Sequence, residues 1–283
     1  MSRKLTSALV VVLALCVVIA YAKKRNSFAH TEALGGAEFV ELQLDLSIAE
    51  TSVKAGEDET LVDFSGEYDE DFDEPTMKVE RETDMVYVYL ESDDDHHHFG
   101  GTDDMDGGDY QVLLSPKPEY AIRCDVGLGE NNIDLTGLKV KRLELDAGLA
   151  ETELIVDKPN EIESDRISIE CGLGSLETVK LGHLRFKKLD VDAGMGDVTL
   201  DLRGYKGEGM VDISVGMGSC DIIVEKGMGI RVYHDGGFLS SIDLDDMEKV
   251  RKDVWETDDY DTASIKLDID LSVGMGDVDL RWR

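Results

Sequence analysis

Short runs of strict alternation recur along this chain, and the same three residues interrupt each of them. Around Gly194 the sequence reads Leu189-Asp190-Val191-Asp192-Ala193, then Gly194-Met195-Gly196, then Asp197-Val198-Thr199-Leu200-Asp201-Leu202. Apolar and polar positions alternate with period two on both sides, as in a half-buried strand. The inward set is Leu189, Val191 and Ala193 before the triplet and Val198, Leu200 and Leu202 after it. The triplet returns as Gly127-Leu128-Gly129, Gly172-Leu173-Gly174, Gly216-Met217-Gly218 and Gly274-Met275-Gly276, with Gly148-Leu149-Ala150 as a variant. The first glycines fall at positions 127, 148, 172, 194 and 216. The step between them is nearly constant, at about 22 residues, and a fixed period in this range marks a stacked repeat. Glycine suits a corner where the backbone bends and approaches its neighbour closely. The central Leu or Met is expected to plug the corner of the core.

The columns repeat by residue type. Before the bend stand Ile122, Cys124 and Val126, then Leu143, Leu145 and Ala147, Ile167, Ile169 and Cys171, Val211, Ile213 and Val215, and Ile269, Leu271 and Val273. After it stand Ile133 and Leu135, Leu154 and Val156, Ile222 and Val224, and Val278, Leu280 and Trp282. A further rung is hidden at 44–51, which mirrors 145–152, and a degenerate one passes through 232–238. The predicted fold is all-β: a β-solenoid, parallel β-helix-like, with two-strand rungs of about 22 residues stacked about 4.8 Å apart. An antiparallel sandwich is the rival, since short strands at regular spacing also fit that class. A sandwich has no reason to repeat residue types column by column.

The rest of the chain divides around this repeat. Residues 1–22 read as a signal peptide or membrane anchor and 23–36 as a tether. Residues 37–120 hold the first rung and an acidic, irregular β region with strands at 85–90 and 110–114. Residues 121–283 are the regular solenoid, interrupted at 239–264, where Met247, Val250 and Val254 follow helical spacing behind Asp245 as N-cap. Residues 265–283 form a closing rung whose Trp282 caps the stack.

In the N-terminal segment Arg3 and Lys4 precede an apolar run over 5–19, then Ala20-Tyr21-Ala22 and Lys23-Lys24-Arg25. The small-x-small site fits cleavage after Ala22. The run is also nearly long enough to span a bilayer, which fits an uncleaved anchor. Cys16 is a weak lipoprotein site, because large Leu15 precedes it. The net charge of −33 excludes nucleic acid as a partner and makes anionic membrane surfaces repel the body of the protein. Membrane association is expected only through residues 5–22. Acidic outward columns keep an edge-rich β protein soluble, and they equally suit cationic partners, divalent metals or a high-salt habitat. Cys124, Cys171 and Cys220 lie on inward columns about two rungs apart, too far for disulfides, so reduced, inert thiols are expected.

Candidate chemistry is sparse. Asp93, Asp94, Asp95, His96, His97 and His98 form the best metal-ligating run, suited to zinc or, with the neighbouring Asp-Gly loops, to calcium. Read structurally, the run is a solvated loop. The position after the triplet is Glu130, Glu151, Ser175, Asp197, Ser219 and Asp277, which reads as polar residues ending a tight bend or as calcium shared between rungs. Asp125, Asp146, Glu170 and Asp192 form an outer column with Arg123 and Arg166 nearby. Such carboxylates on one face fit a polysaccharide-active β-helix enzyme, but no nucleophile–base constellation accompanies them. His183 and His234 stand alone.

Residues 44–54, 110–116 and 121–156 resemble the bacterial toast-rack domain of LiaF-type cell-envelope stress proteins. The phrase Leu135-Thr136-Gly137-Leu138-Lys139-Val140-Lys141-Arg142-Leu143-Glu144-Leu145-Asp146-Ala147-Gly148 carries the likeness best. Residues 189–202 and 267–280 are similar to the related adhesin-like β-solenoids. The resemblance implies an envelope-associated, non-enzymatic module whose ligand is generally unassigned. For this chain the expectation is a secreted or membrane-tethered structural or binding module without cofactor, its partner an envelope protein or polysaccharide.

Overall fold

The computed structural model describes residues 25–92 and 107–283, except for the side chains of 235–239. The N-terminal segment and the Asp93–His98 run lie outside the described residues. Within them the chain is all-β: β1 (Arg25–Ala33), β2 (Phe39–Ala55), β3 (Thr60–Asp69), β4 (Thr76–Arg81), β5 (Val86–Ser92), β6 (Gly108–Leu114), β7 (Glu119–Asp134), β8 (Lys139–Ile155), β9 (Arg166–Val179), β10 (Lys188–Asp201), β11 (Glu208–Val224), β12 (Gly229–Leu244), β13 (Glu248–Arg251), β14 (Val254–Glu256) and β15 (Lys266–Trp282). Among the described residues a single 3-10 turn spans Leu181–Leu184.

Where the sequence predicts two strands per rung, one uninterrupted strand runs through the glycine triplet. Leu189 pairs in parallel with Val211, and Val198 beyond the triplet pairs with Cys220, so the offset is the same on both sides. The buried positions nevertheless change parity. Leu189, Val191 and Ala193 are buried, residues 194–197 are not, and Val198 and Leu200 are buried again. A strand that buries odd positions, turns four residues outward and then buries even ones has rounded a convex corner. Both halves contribute to one apolar cluster inside the bend. The opposite side is closed by turn residues Leu138, Leu184, Phe186, Tyr205 and Met228, all buried. The Tyr205 hydroxyl donates to the Phe186 carbonyl at 2.8 Å, which satisfies its polar tip.

The convex corner corrects the expectation that Leu or Met plugs the core. Leu149, Leu173, Met195, Met217 and Met275 are 42–51% exposed. The second glycine accompanies this geometry on five of the strands. Gly129, Gly174, Gly196, Gly218 and Gly276 have φ of 142–150°, a region nearly closed to residues with a Cβ. A Cβ on any of them would lie 1.7–1.9 Å from a carbonyl oxygen of the neighbouring strand. At this position β2 and β8 carry Ala49 and Ala150, and neither has a positive φ.

Stacking follows the sequence from β7 to β11 and departs from it at both ends. β2 lies between β7 on one side and β5 with β6 on the other: β5 pairs with its first half and β6 with its second. At the far end β15 lies between β11 and β12. The last strand is therefore internal, not a closing rung. Trp282 belongs to this internal strand, and its indole N–H donates to the Asp245 carbonyl at 2.7 Å.

The outermost strands are covered by antiparallel additions. β4 pairs with β5, β3 with β6, and β1 with β3. Residues 25–33, expected to be tether, thus form an ordered strand. Its Phe28 packs edge-on against Phe64 at 4.8 Å, and Phe64 packs against Tyr110 at 5.9 Å. At the other end the expected helix is a hairpin of β13 and β14, with β14 paired to β12. The N–H of His234 donates to the Asp253 carbonyl at 3.0 Å. Open edge groups on β12 need partners, and three apolar residues at helical spacing do not outweigh that demand. Val254 is buried while Val250 is exposed, so the two do not share a face. Asp253, at φ 57°, makes the tight turn. The degenerate rung extends to Leu244, so the interruption begins later than the expected 239.

Cys124 and Cys220 are buried and Cys171 partly so, all as free thiols. Burial pushes Cys124 and Cys220 up to about 12 and Cys171 to about 11, which keeps them protonated and inert.

Gly196→Ala and Gly207→Ala separate close stacking from conformational preference. Gly207 has φ of 101° and open space around its Cα, so alanine there is expected to cost about 1–2 kcal/mol. Gly196→Ala adds a backbone collision and is expected to cost on the order of 3 kcal/mol or more. Denaturant unfolding checks this; equal losses would show that the carbonyl contact is not limiting.

Candidate functional site

In-register stacking converts each sequence position at the corner into a file of side chains running along the stack. Two residues before the first glycine stand Asp45, Asp125, Asp146, Glu170, Asp192, Ser214 and Ser272, paired strand to strand. The next outward file is a floor of glycines: Gly127, Gly148, Gly172, Gly194, Gly216 and Gly274. From Gly148 onward, a Cβ on each would lie 2.5–2.9 Å from the carbonyl oxygen of the glycine beside it. Then come Ile48, Leu128, Leu149, Leu173, Met195, Met217 and Met275, the apolar ridge. Beyond the ridge lies the file Glu130, Glu151, Ser175, Asp197, Ser219 and Asp277. The corner is therefore an apolar ridge with an acidic file on either side and a side-chain-free trough along one flank.

The carboxylates of the first file stand one strand spacing apart, about 4.8 Å. Burial raises the pKa of Asp125 above the usual carboxylate range. Asp146 and Asp45 raise it further, and Arg123 opposes them. The structure brings Asp125, Asp146, Glu170 and Asp192 together as the sequence predicts. Arg123 and Arg166 turn away to Glu144 at 3.2 Å and Asp190 at 2.9 Å. Neither arginine forms an ion pair within the ladder, although Arg123 still acts on Asp125.

Past the corner an open groove of about 490 Å³ carries Glu50, Asp109, Glu130, Glu151, Glu153 and Glu177 on its walls. Its floor holds Thr51, Asn131 and Thr152, which are buried. These three occupy the first inward position after the corner, where the following strands have Leu176, Val198, Cys220 and Val278. Asn131 donates to Thr152 Oγ1 at 3.4 Å, while Thr51 Oγ1 and Asn131 Oδ1 have no hydrogen-bond partner. The sequence held this signal as three polar exceptions in an apolar column, visible only once 44–51 is aligned with the other rungs.

The lone histidines are tied to backbone. His183 Nδ1 lies 2.7 Å from the Val156 carbonyl, and His234 Nδ1 lies 3.2 Å from that of Leu271. Among the described residues no cluster of His, Cys, Asp and Glu has metal-holding geometry. Among the same residues no helix is long and apolar enough to cross a membrane.

The sequence profile of the N-terminal domain of toast_rack (DUF2154) matches residues 21–178 and, overlapping, 166–223. No curated protein sequence matches the chain. Among solved structures, a candidate cell adhesion protein from Clostridium sporogenes is 15% identical over 92% of this chain and 100% of its own, with a TM-score of 0.46. A candidate adhesin from Bacteroides fragilis is 11% identical over 92% of this chain and 98% of its own, with a TM-score of 0.38. Scores this low do not equate the folds.

Asp125→Asn tests the carboxylate ladder. The fold raises the Asp125 pKa, so its ionised form is disfavoured in the native state and costs stability above that pKa. The variant is expected to be the more stable near pH 7, and the gain is expected to vanish as pH falls below the ordinary carboxylate range of about 4. Salt at about 1 M removes the repulsive part and leaves the burial part. Thermal melts across pH and salt check this; an unchanged or lower melting temperature near pH 7 contradicts it.

Proposed function

This chain belongs to the toast-rack family, whose N-terminal domain it carries over residues 21–223, and from that premise we propose that it is a non-enzymatic binding module of the cell envelope. It acts outside the cytoplasm, either secreted or held by its single N-terminal apolar segment. Its scaffold is a β-solenoid: in-register parallel pairing at a nearly constant sequence offset from β7 to β11 supports that reading.

One observation carries the proposal. Seven apolar side chains, from Ile48 to Met275, form one in-register file along the corner, with Ile48 and Leu128 half-buried and the five from Leu149 onward exposed. Six strand spacings make it about 29 Å long. A contiguous exposed apolar surface of this kind marks an interaction site. The flanking files choose the partner. Asp45, Asp125, Asp146, Glu170 and Asp192 on one side, with Glu130, Glu151 and Asp197 on the other, favour a surface that joins apolar side chains to Lys and Arg. An envelope protein with such a surface fits better than a polysaccharide, because the ridge offers no aromatic ring for a sugar to stack upon. The same charges repel a second copy of this chain.

A thiol-to-amine crosslinker that cannot cross membranes tests ridge, charge and location together. The variant is Leu149→Cys in a Cys171→Ala background, alanine being the residue at Ala147 and Ala193 in that column. On intact cells it is expected to give a reproducible protein adduct. Asp146→Asn with Glu151→Gln is expected to reduce the adduct at least about tenfold. No adduct, or one indifferent to the two carboxylates, overturns the proposal.

A further inference from the structure

The ridge changes chemistry along its length. It is Ile or Leu from β2 to β9 and Met on β10, β11 and β15. The last of these is brought in from the far end of the chain: Met217 pairs with Met195 of the rung before it and with Met275 of the final strand. The fold thus gathers three thioethers on adjacent strands, each 42–49% exposed. The flanking file changes with them, from carboxylates to Ser214 and Ser272 beside Met217 and Met275. Beyond the ridge, Asp197 accepts from the Ser219 backbone N–H at 3.2 Å and from its hydroxyl at 2.5 Å, and Asp277 accepts from the Ser241 hydroxyl. Those two carboxylates are therefore already engaged.

We propose that Met195, Met217 and Met275 form a surface site for a soft monovalent metal ion, copper(I) or its analogue silver(I). Thioether sulfur is a weak ligand for hard divalent cations and a good one for copper(I). Adjacent strands place Met217 about 4.8 Å from each of Met195 and Met275, which are about 9.6 Å from one another, and each has three rotatable bonds along a polarizable chain. With Met217 in the middle, the outer two sulfurs close over it from either side. Met195 alone retains a carboxylate neighbour in the first file, Asp192. Three neutral sulfur donors match a soft +1 ion, and the acidic molecule around them offsets its charge. The leucines of the other strands supply the control, because leucine fills the same exposed position without a donor atom.

The test uses the full-length chain with Cys16→Ala and Cys171→Ala, which remove two competing thiols, and with His96→Ala, His97→Ala and His98→Ala, which remove the imidazoles of the Asp93–His98 run. Copper(I), held reduced under anaerobic conditions, is titrated in competition with a chromophoric chelator. Silver(I) is titrated against protein carrying 13C-labelled methionine methyls. One ion per chain is expected, and the methyl signals of Met195, Met217 and Met275 are expected to move together while buried Met228 stays in place. Met217→Leu is expected to weaken binding at least about tenfold, and the triple Leu variant to abolish it with no loss of melting temperature. Failure of the wild-type chain to compete for copper(I), or binding that persists in the triple variant, overturns the site. Zinc(II) is expected to leave the three methyl signals unmoved, and a zinc shift equal to that of silver also overturns it. The site stands or falls independently of the protein partner proposed above, because neither titration contains one.

Discussion

The contact on which the rest of the structure depends is made by atoms that are missing. At the glycine corners a backbone carbonyl of one strand occupies the place where the next strand would put a Cβ, 1.7–1.9 Å from its ideal position at the second glycines. Glycine there lets neighbouring strands stay hydrogen-bonded while the chain rounds the bend. Because the ladder does not break, the offset before the corner equals the offset after it, and every position becomes a file. Because the corner is convex, consecutive residues face outward there, four on β10 and two on β8, where Ala150 is buried. The apolar ridge, the carboxylate ladder and the glycine trough all follow from an unbroken ladder carried through that convex corner.

Much of the fold was legible because period-two alternation and a repeated triplet are local signals. The hidden rung at 44–51 and the degenerate one at 232–238 both take their places in the stack, as β2 and β12. Stacking order was not legible. β15 fits beside β11 as well as β12 would, since Ile269, Leu271 and Val273 repeat the Val211, Ile213 and Val215 column, and identical columns carry no address. Edge demands were also invisible. β1 reads as a polar linker, and β13 with β14 reads as helix, until the unpaired groups of β3 and β12 are considered.

The corner itself was half legible. Alternation marks Ala193 and Val198 as inward, and their odd separation already requires a change of parity between them. Taking the central residue as a plug ignored that requirement. The carboxylate column was readable as a row of residue types with Arg123 and Arg166 nearby, but their ion-pair partners were not, because Glu144 and Asp190 sit on neighbouring strands that only the register brings near. Thr51, Asn131 and Thr152 were missed because no single rung looks unusual alone. Function was least legible, since the surface that supports it is assembled from one residue in every rung.

Peroxide footprinting of methionine tests the convex corner most directly. Met195, Met217 and Met275 should oxidise to the sulfoxide at rates close to those of the unfolded chain, and Met228, 2% exposed, should resist until the protein unfolds. Mass spectrometry of the four peptides reads both classes in one experiment. Protection of the three ridge methionines to the level of Met228 would place them inside the core and contradict the account.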